Sequence, residues 1–218
     1  MASKKPERDL ETVFHPQELR TALVLVSLYV LAFENFKSGI IDHLRTLHFR
    51  SIDAEGWHID EYAYAADVLS RDPKHRPFHG SLAWFRHFDA IDDADLETIE
   101  RFTAVRNRLV HELWKWLGTA ELPTDLATFS DLIRVYRKVE VWHIVHIELD
   151  DEDPEWEGKE IIEEEIQPGP LIMLQLLWDT ALGKDEKAWA FYNTLVEARK
   201  KYPSRTAWED TPSLDDSP

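Results

Sequence analysis

Apolar residues recur along most of this chain at the three-to-four spacing of an amphipathic helix. The first such segment follows His15-Pro16. Proline suits the first helical turn, where its missing N–H has no intrahelical partner anyway. From Leu19 the repeat carries a helix to about Phe49, with Gly39 its weak point at ~1 kcal/mol relative to Ala. Between Ala22 and Phe33 nearly every side is apolar, the pattern of a helix in the middle of a bundle or at an oligomer interface. That run of twelve residues is shorter than the ~20 a bilayer span needs, so a buried helix is expected rather than a membrane segment.

Residues 51–59, with Gly56, read as a turn, and 60–69 as a short helix stopped at Asp72-Pro73. A loop over 72–80 then leads to a short aromatic helix over 81–88. The clearest helix spans 92–117. Its acidic first turn (Asp92, Asp93, Asp95) suits the positive end of the helix dipole. Leu96, Ile99, Phe102 or Thr103, Leu109 or Val110, Leu113 and Leu117 trace its buried stripe, and Gly118 ends it. From Leu126 the apolar spacing continues through Leu149. The patch 141–145 also fits a strand, but the spacing on either side favours a helix. An acidic loop over about 150–167 precedes a helical hairpin, 171–182 and 185–201, around Gly183. The expectation is all-α, with five to seven helices. A flexible lead-in covers 1–14, one domain with extra C-terminal helices covers 15–202, and a disordered tail covers 203–218.

Composition changes this picture in three ways. The 218 residues include no Cys, which removes thiolate metal sites, Fe–S clusters and a Cys nucleophile. The net charge is −17, which argues against a broad basic nucleic-acid face. The charge is uneven, however: residues 148–165 hold eleven acidic side chains against Lys159 alone. The other 200 residues carry only −7, which leaves room for a local basic site. No targeting segment is visible, and a cytoplasmic location is expected. Walker, nucleophile-elbow and dinucleotide motifs are missing. His143 and His146 stand three apart near Glu140 and Glu148, but no third ligand is set by spacing; surface histidines, no metal and no cofactor are expected.

One pattern carries chemistry. Within TIERFTAVRNRLVHELWKWL, residues 98–117, Arg106, Asn107 and His111 form R-N-x-x-x-H. With 14 Arg, 3 Asn and 10 His in the chain, chance placement gives this pattern about 0.01 times. Asn107 and His111 are four apart and share a helical face. Histidine moves protons near neutrality. Arginine holds two phosphate oxygens with its planar fork, and Asn can orient the imidazole. This kit suits metal-independent cleavage of RNA with the ribose 2′-OH as internal nucleophile.

The run RNRLVHE resembles the signature of the HEPN superfamily, small all-α proteins that are commonly ribonucleases. The resemblance is specific over about 95–117 and implies an HEPN-like helical bundle. It also implies a homodimer with two motifs facing one cleft, and an RNA substrate. A toxin or antiviral-defence role, with an antitoxin or other regulatory protein as partner, is implied as well. Carried over, Arg106 binds phosphate, Asn107 assists, and His111 is the catalytic acid or base. In one toxin branch a modified Tyr follows the His by two residues; here that position is Leu113, so regulation by that route is not expected. Glu34, which ends the apolar run and could face the motif helix, is a further candidate for substrate contact. So are Arg101, Arg108 and Lys115, although they also alternate with Glu97, Glu100 and Glu112 as charges on a solvated face do. The alternative is a non-catalytic HEPN-like module that binds nucleotide or RNA, or adapts proteins.

Overall fold

The computed structural model describes residues 15–54, 56–117, 126–149, 161–183 and 185–201. Helix α1 spans Pro16–Leu47. A hairpin of β1 (Phe49–Asp53) and β2 (Gly56–Ile59) follows, and then α2 (Glu61–Asp67) and a 3-10 turn at Leu69–Arg71. Next come α3 (Pro77–His87), α4 (Asp93–Leu117) and α5 (Leu126–His143), which runs into a π-helical turn at Ile144–Glu148. Helices α6 (Gly169–Leu182) and α7 (Asp185–Lys201) complete the described chain. Among the described residues the architecture is all-α apart from one two-stranded hairpin.

That hairpin stands where a simple turn is expected from Gly56. Its strands pair antiparallel, with Ile52 opposite Trp57 and a register shift between Phe49 and Ser51. Every residue of β1 is exposed. Short strands without a buried face leave little pattern to read. Helix α3 starts four residues before its expected first residue, because Pro77 occupies its first turn as Pro16 does in α1. The 141–145 patch is helical to His143, as its flanking spacing implies, and then widens into the π turn. The expected lead-in at 1–14, the tail at 203–218 and most of the acidic loop lie outside the described residues.

Chain compactness divides at Gln175/Leu176, within α6. The first unit holds the core. Helix α1 supplies Val26, Tyr29, Phe33, Phe36, Ile40 and Leu44, a three-to-four repeat along one face. Its segment Leu19–Leu47 is long and apolar enough to cross a bilayer by length and composition, and this buried face is a reason for the same apolarity within a core. Helix α4 contributes Ile99, Phe102, Val105 and Leu109, and α5 contributes Leu132, Val135, Tyr136 and Val139. The inward members of the two open pairs in α4 are thus Phe102 and Leu109, while Val110 is 47% exposed. Aromatic rings join the helices: Phe102 stacks on Tyr29 at 4.0 Å, and Phe36 meets Tyr136 edge-on at 5.3 Å. Each fully buried Phe is worth about 1.5–3 kcal/mol relative to exposure. In the second unit α7 runs to Lys201, with Trp189 edge-on to Tyr192 at 5.6 Å.

Candidate functional site

The helix that carries the motif is anchored at its start by reciprocal hydrogen bonds. The Asp95 backbone N–H donates to Asp92 Oδ1 at 2.9 Å, and the Asp92 N–H donates to Asp95 Oδ2 at 3.2 Å. Asp95 is buried, yet its carboxylate meets Arg134 Nη1 at 3.1 Å and Lys138 Nζ, both from α5. A buried carboxylate without such partners would be expensive. The Asp95 N–H and the Lys138 ammonium hold the Asp92 carboxyl below its ordinary range. α4 is therefore locked in register on α5, ahead of the motif.

Three turns on, Arg106 reaches from α4 to α1. Its Nη2 pairs with Glu34 Oε1, and its guanidinium lies 5.6 Å from the centre of the Phe33 ring. Nη1 donates to Asn107 Oδ1 at 3.0 Å. The remaining nitrogen, Nε, is buried without a hydrogen-bond acceptor. Glu34 also draws Lys37 to 3.9 Å. Glu34 thus meets the motif helix as the ion-pair partner of Arg106 within the one chain.

Arg106 and Asn107 line a pocket of about 1030 Å³ between α1, α3 and α4. Phe33 and Ile41 of α1, Phe78 and Leu82 of α3, and Leu96 and Ile99 of α4 give it an apolar wall. Its charged lining is cationic: Lys37, Arg71, Arg76, Arg86 and Arg106 against Asp72 and Glu100. Each of these cations has a carboxylate partner. Arg71 meets Asp67 at 3.1 Å, Arg76 meets Asp72 at 2.9 Å, and Arg86 meets Asp93 at 2.8 Å. Among those carboxylates only Asp72 is itself part of the lining. The partners fix the guanidiniums in advance, so less side-chain entropy remains to be lost on binding an anion. The Arg76 guanidinium holds the Asp72 carboxyl far below its ordinary range. Counted with those partners, the five cations are balanced by Glu34, Asp67, Asp72, Asp93 and Glu100, so the pocket presents cations on its lining without a net positive charge.

His111 lies outside this lining. It is exposed on the next turn of α4, immediately before Glu112, whose φ of −124° and ψ of 16° break the helix. Arg101 is exposed too, bonded to Thr98 Oγ1 at 3.0 Å and 3.9 Å from Asp131. Arg108 is exposed and is not part of the pocket wall. The Lys115 side chain lies outside the described residues.

Sequence reasoning missed His79. It lies in the first turn of α3 and lines the same pocket as Arg106. Although His79 is exposed, partial desolvation and then the Arg76 cation push its pKa below the ordinary histidine value. Nothing around residue 79 repeats or matches a motif, so only the packing of α3 and of α4 on α1 could reveal it.

His143, at the end of α5, and His146, in the π turn, face different neighbours. His143 is buried and stacks on His43 of α1 at 3.8 Å, whereas His146 stacks on Trp142 at 4.7 Å. His43 Nε2 meets the buried Glu140 carboxylate at 2.8 Å. His143 Nδ1 lies 3.2 Å from Glu148, at ion-pair distance but without hydrogen-bond geometry. Burial, followed by the neighbouring His43, pushes the His143 pKa down. Among the described residues no group of His, Asp and Glu is arranged to hold a metal ion.

No family model, no curated protein and no solved structure matches the chain.

Proposed function

We propose that this chain is a metal-independent endoribonuclease of HEPN type, acting as a homodimer in the cytoplasm. The observation that carries the reading is the placement of Arg106. It stands beside Asn107 on the wall of a cation-lined, apolar-floored pocket in an otherwise acidic protein. A planar guanidinium there can hold a phosphodiester while the apolar wall takes an adjoining base. The ribose 2′-OH attacks phosphorus, a new O2′–P bond forms and the P–O5′ bond breaks. The products are a 2′,3′-cyclic phosphate and a 5′-hydroxyl. Arg106 stabilises the charge that builds on the phosphoryl oxygens, and His111 transfers a proton. An antitoxin or other regulatory protein would hold such an activity in check.

The test uses purified protein and His111→Ala with total RNA and tRNA in EDTA, followed by chain-end analysis. Cleavage that is lost in the variant supports the reading. A variant that cleaves like the wild type refutes the role of the motif. Because His111 is exposed, the substitution is expected to leave the fold intact.

One observation favours a second reading, a non-catalytic binding or adaptor module: Arg106 and Asn107 line the pocket but His111 does not. That reading predicts RNA or nucleotide binding that survives His111→Ala, with no turnover by either protein.

A further inference from the structure

The charged side chains on the wall of the Arg106 pocket are almost all committed to partners. Lys37 and Arg106 share Glu34, Arg71 meets Asp67, Arg76 meets Asp72, and Arg86 meets Asp93. Glu100 differs: among the described residues its exposed carboxylate forms no ion pair and no hydrogen bond. It acts on His79 through space, but that imidazole has a pKa below the ordinary value and carries no compensating charge at about pH 7.5. A carboxylate accepts on both oxygens and donates nothing. The ligand edge that matches it best offers two parallel donors.

The spacing on α4 adds a second point. Glu100, Ala104 and Asn107 stand at i, i+4 and i+7, so they share one helical face, and all three line the pocket. Ala104 places only a methyl group between the two polar ends. Glu100 and Asn107 lie about 10 Å apart along the helix axis. Arg106 Nη1 is bonded to Asn107 Oδ1, so the guanidinium stands at the far end of that span. One nucleotide covers such a distance, from the Watson–Crick edge of its base to the phosphate on its ribose.

We propose that this pocket is a guanine site: Glu100 accepts the N1–H and N2–H of the base while Arg106 holds the 3′-phosphate of the same nucleotide. The proposal rests on the ribonuclease reading and names where the cut falls, 3′ to guanosine, leaving guanosine 2′,3′-cyclic phosphate ends. It concerns base recognition and leaves the proton transfers to the motif histidine of each protomer. Guanine is the base whose Watson–Crick edge sets two donors side by side. Adenine and cytosine put an acceptor beside their amino group, and uracil flanks its N–H with two; a carboxylate repels each of these acceptors. A guanidinium ligand has the same two donors but carries a positive charge in among five lining cations. Guanine is neutral, and its nucleotide brings negative charge only where Arg106 stands. Phe33, Phe78 and Leu82 supply apolar surface for the ring.

Calorimetric titration of wild type and Glu100→Gln with the 3′-monophosphates of guanosine, inosine and adenosine reads the site without turnover. Inosine keeps N1–H and lacks the N2 amino group. Wild type is expected to bind the guanosine nucleotide on the order of 10–100-fold tighter than the adenosine one, with inosine between them. Glu100→Gln is expected to bind all three alike. The same proteins are then given oligoribonucleotides in EDTA with G, I or A at a single position. Wild type should favour the cut 3′ to G by a similar margin, and Glu100→Gln should lose that preference.

Equal binding of the three nucleotides by wild type, or none, overturns the guanine site. A loss in Glu100→Gln of the same size for all three marks a general structural role and overturns it as well. Cleavage by wild type with no preference for guanosine overturns it and leaves the ribonuclease reading standing. Guanosine-selective binding by a wild type that cuts no RNA supports the guanine site and overturns the ribonuclease reading.

Discussion

The Glu34–Arg106 pair ties the motif helix to α1, and its strength can be worked from the structure. The Arg106 side chain is 25% exposed and that of Glu34 is 37%. Exposed pairs are worth about 0–1 kcal/mol, and breaking buried ones costs about 3–5 kcal/mol. An intermediate pair is therefore worth about 1–2 kcal/mol. The contact of Arg106 with Phe33 adds about 0.5–1 kcal/mol. Arg106→Ala should thus lose about 1.5–3 kcal/mol, which in a chain of this size lowers Tm by roughly 3–12 °C. Arg106→Lys keeps the charge but not the fork, and it should lose about half as much stability while, on the proposed ribonuclease reading, still lowering cleavage. The decisive measurement is a double-mutant cycle of Glu34→Ala and Arg106→Ala, followed by urea unfolding on tryptophan fluorescence. A coupling energy of about 1–2 kcal/mol is expected. A value under ~0.3 kcal/mol, typical of independent sites, would refute the anchoring argument and show that packing alone places Arg106.

Phe102→Ala should cost about 3–5 kcal/mol in chemical denaturation, because a fully buried ring stacked on Tyr29 is removed; a loss under ~1 kcal/mol would contradict its place in the core. At Gly80 a Cβ would meet the Val68 carbonyl oxygen at 2.7 Å. Gly80→Ala should therefore push α3 off the preceding turn, cost about 1–3 kcal/mol and weaken anion binding in the pocket; a wild-type melting curve would show that the approach is loose. His143 and His79 have folded-state pKa values below their unfolded ones. The unfolded chain binds the extra proton, so stability is complete above about pH 6.5 and falls as pH drops below it. Urea midpoints at pH 7.5 and 5.0 should differ in that direction, and His143→Gln should shrink the difference. Asp72, Asp92 and Asp93, with lowered carboxyl pKa values, lose their contribution only below about pH 4, which separates the two windows.

The helices of this protein are legible in its sequence because each buries one face, and burial writes a three-to-four repeat. The start of α4 is equally local: Asp92 and Asp95 cap a helix end within three residues of each other. The motif too is local, since Arg106, Asn107 and His111 share one helix and their spacing needs no tertiary information. What lies across from them is another matter. Glu34 is 72 residues before Arg106, and only the packing of α1 on α4 makes them partners. His79, Arg76 and Arg71 reach the same pocket from separate turns around α3, with no common period to announce them. The β1–β2 hairpin is illegible for the converse reason, because every residue of β1 is exposed and β2, half-buried at three of its four positions, shows no alternation of buried and exposed residues. Local hydrogen bonding and the demand to bury apolar surface determine the helices from sequence alone. The choice of which helix faces meet, and hence which charges share a pocket, belongs to side-chain packing between segments far apart in the chain.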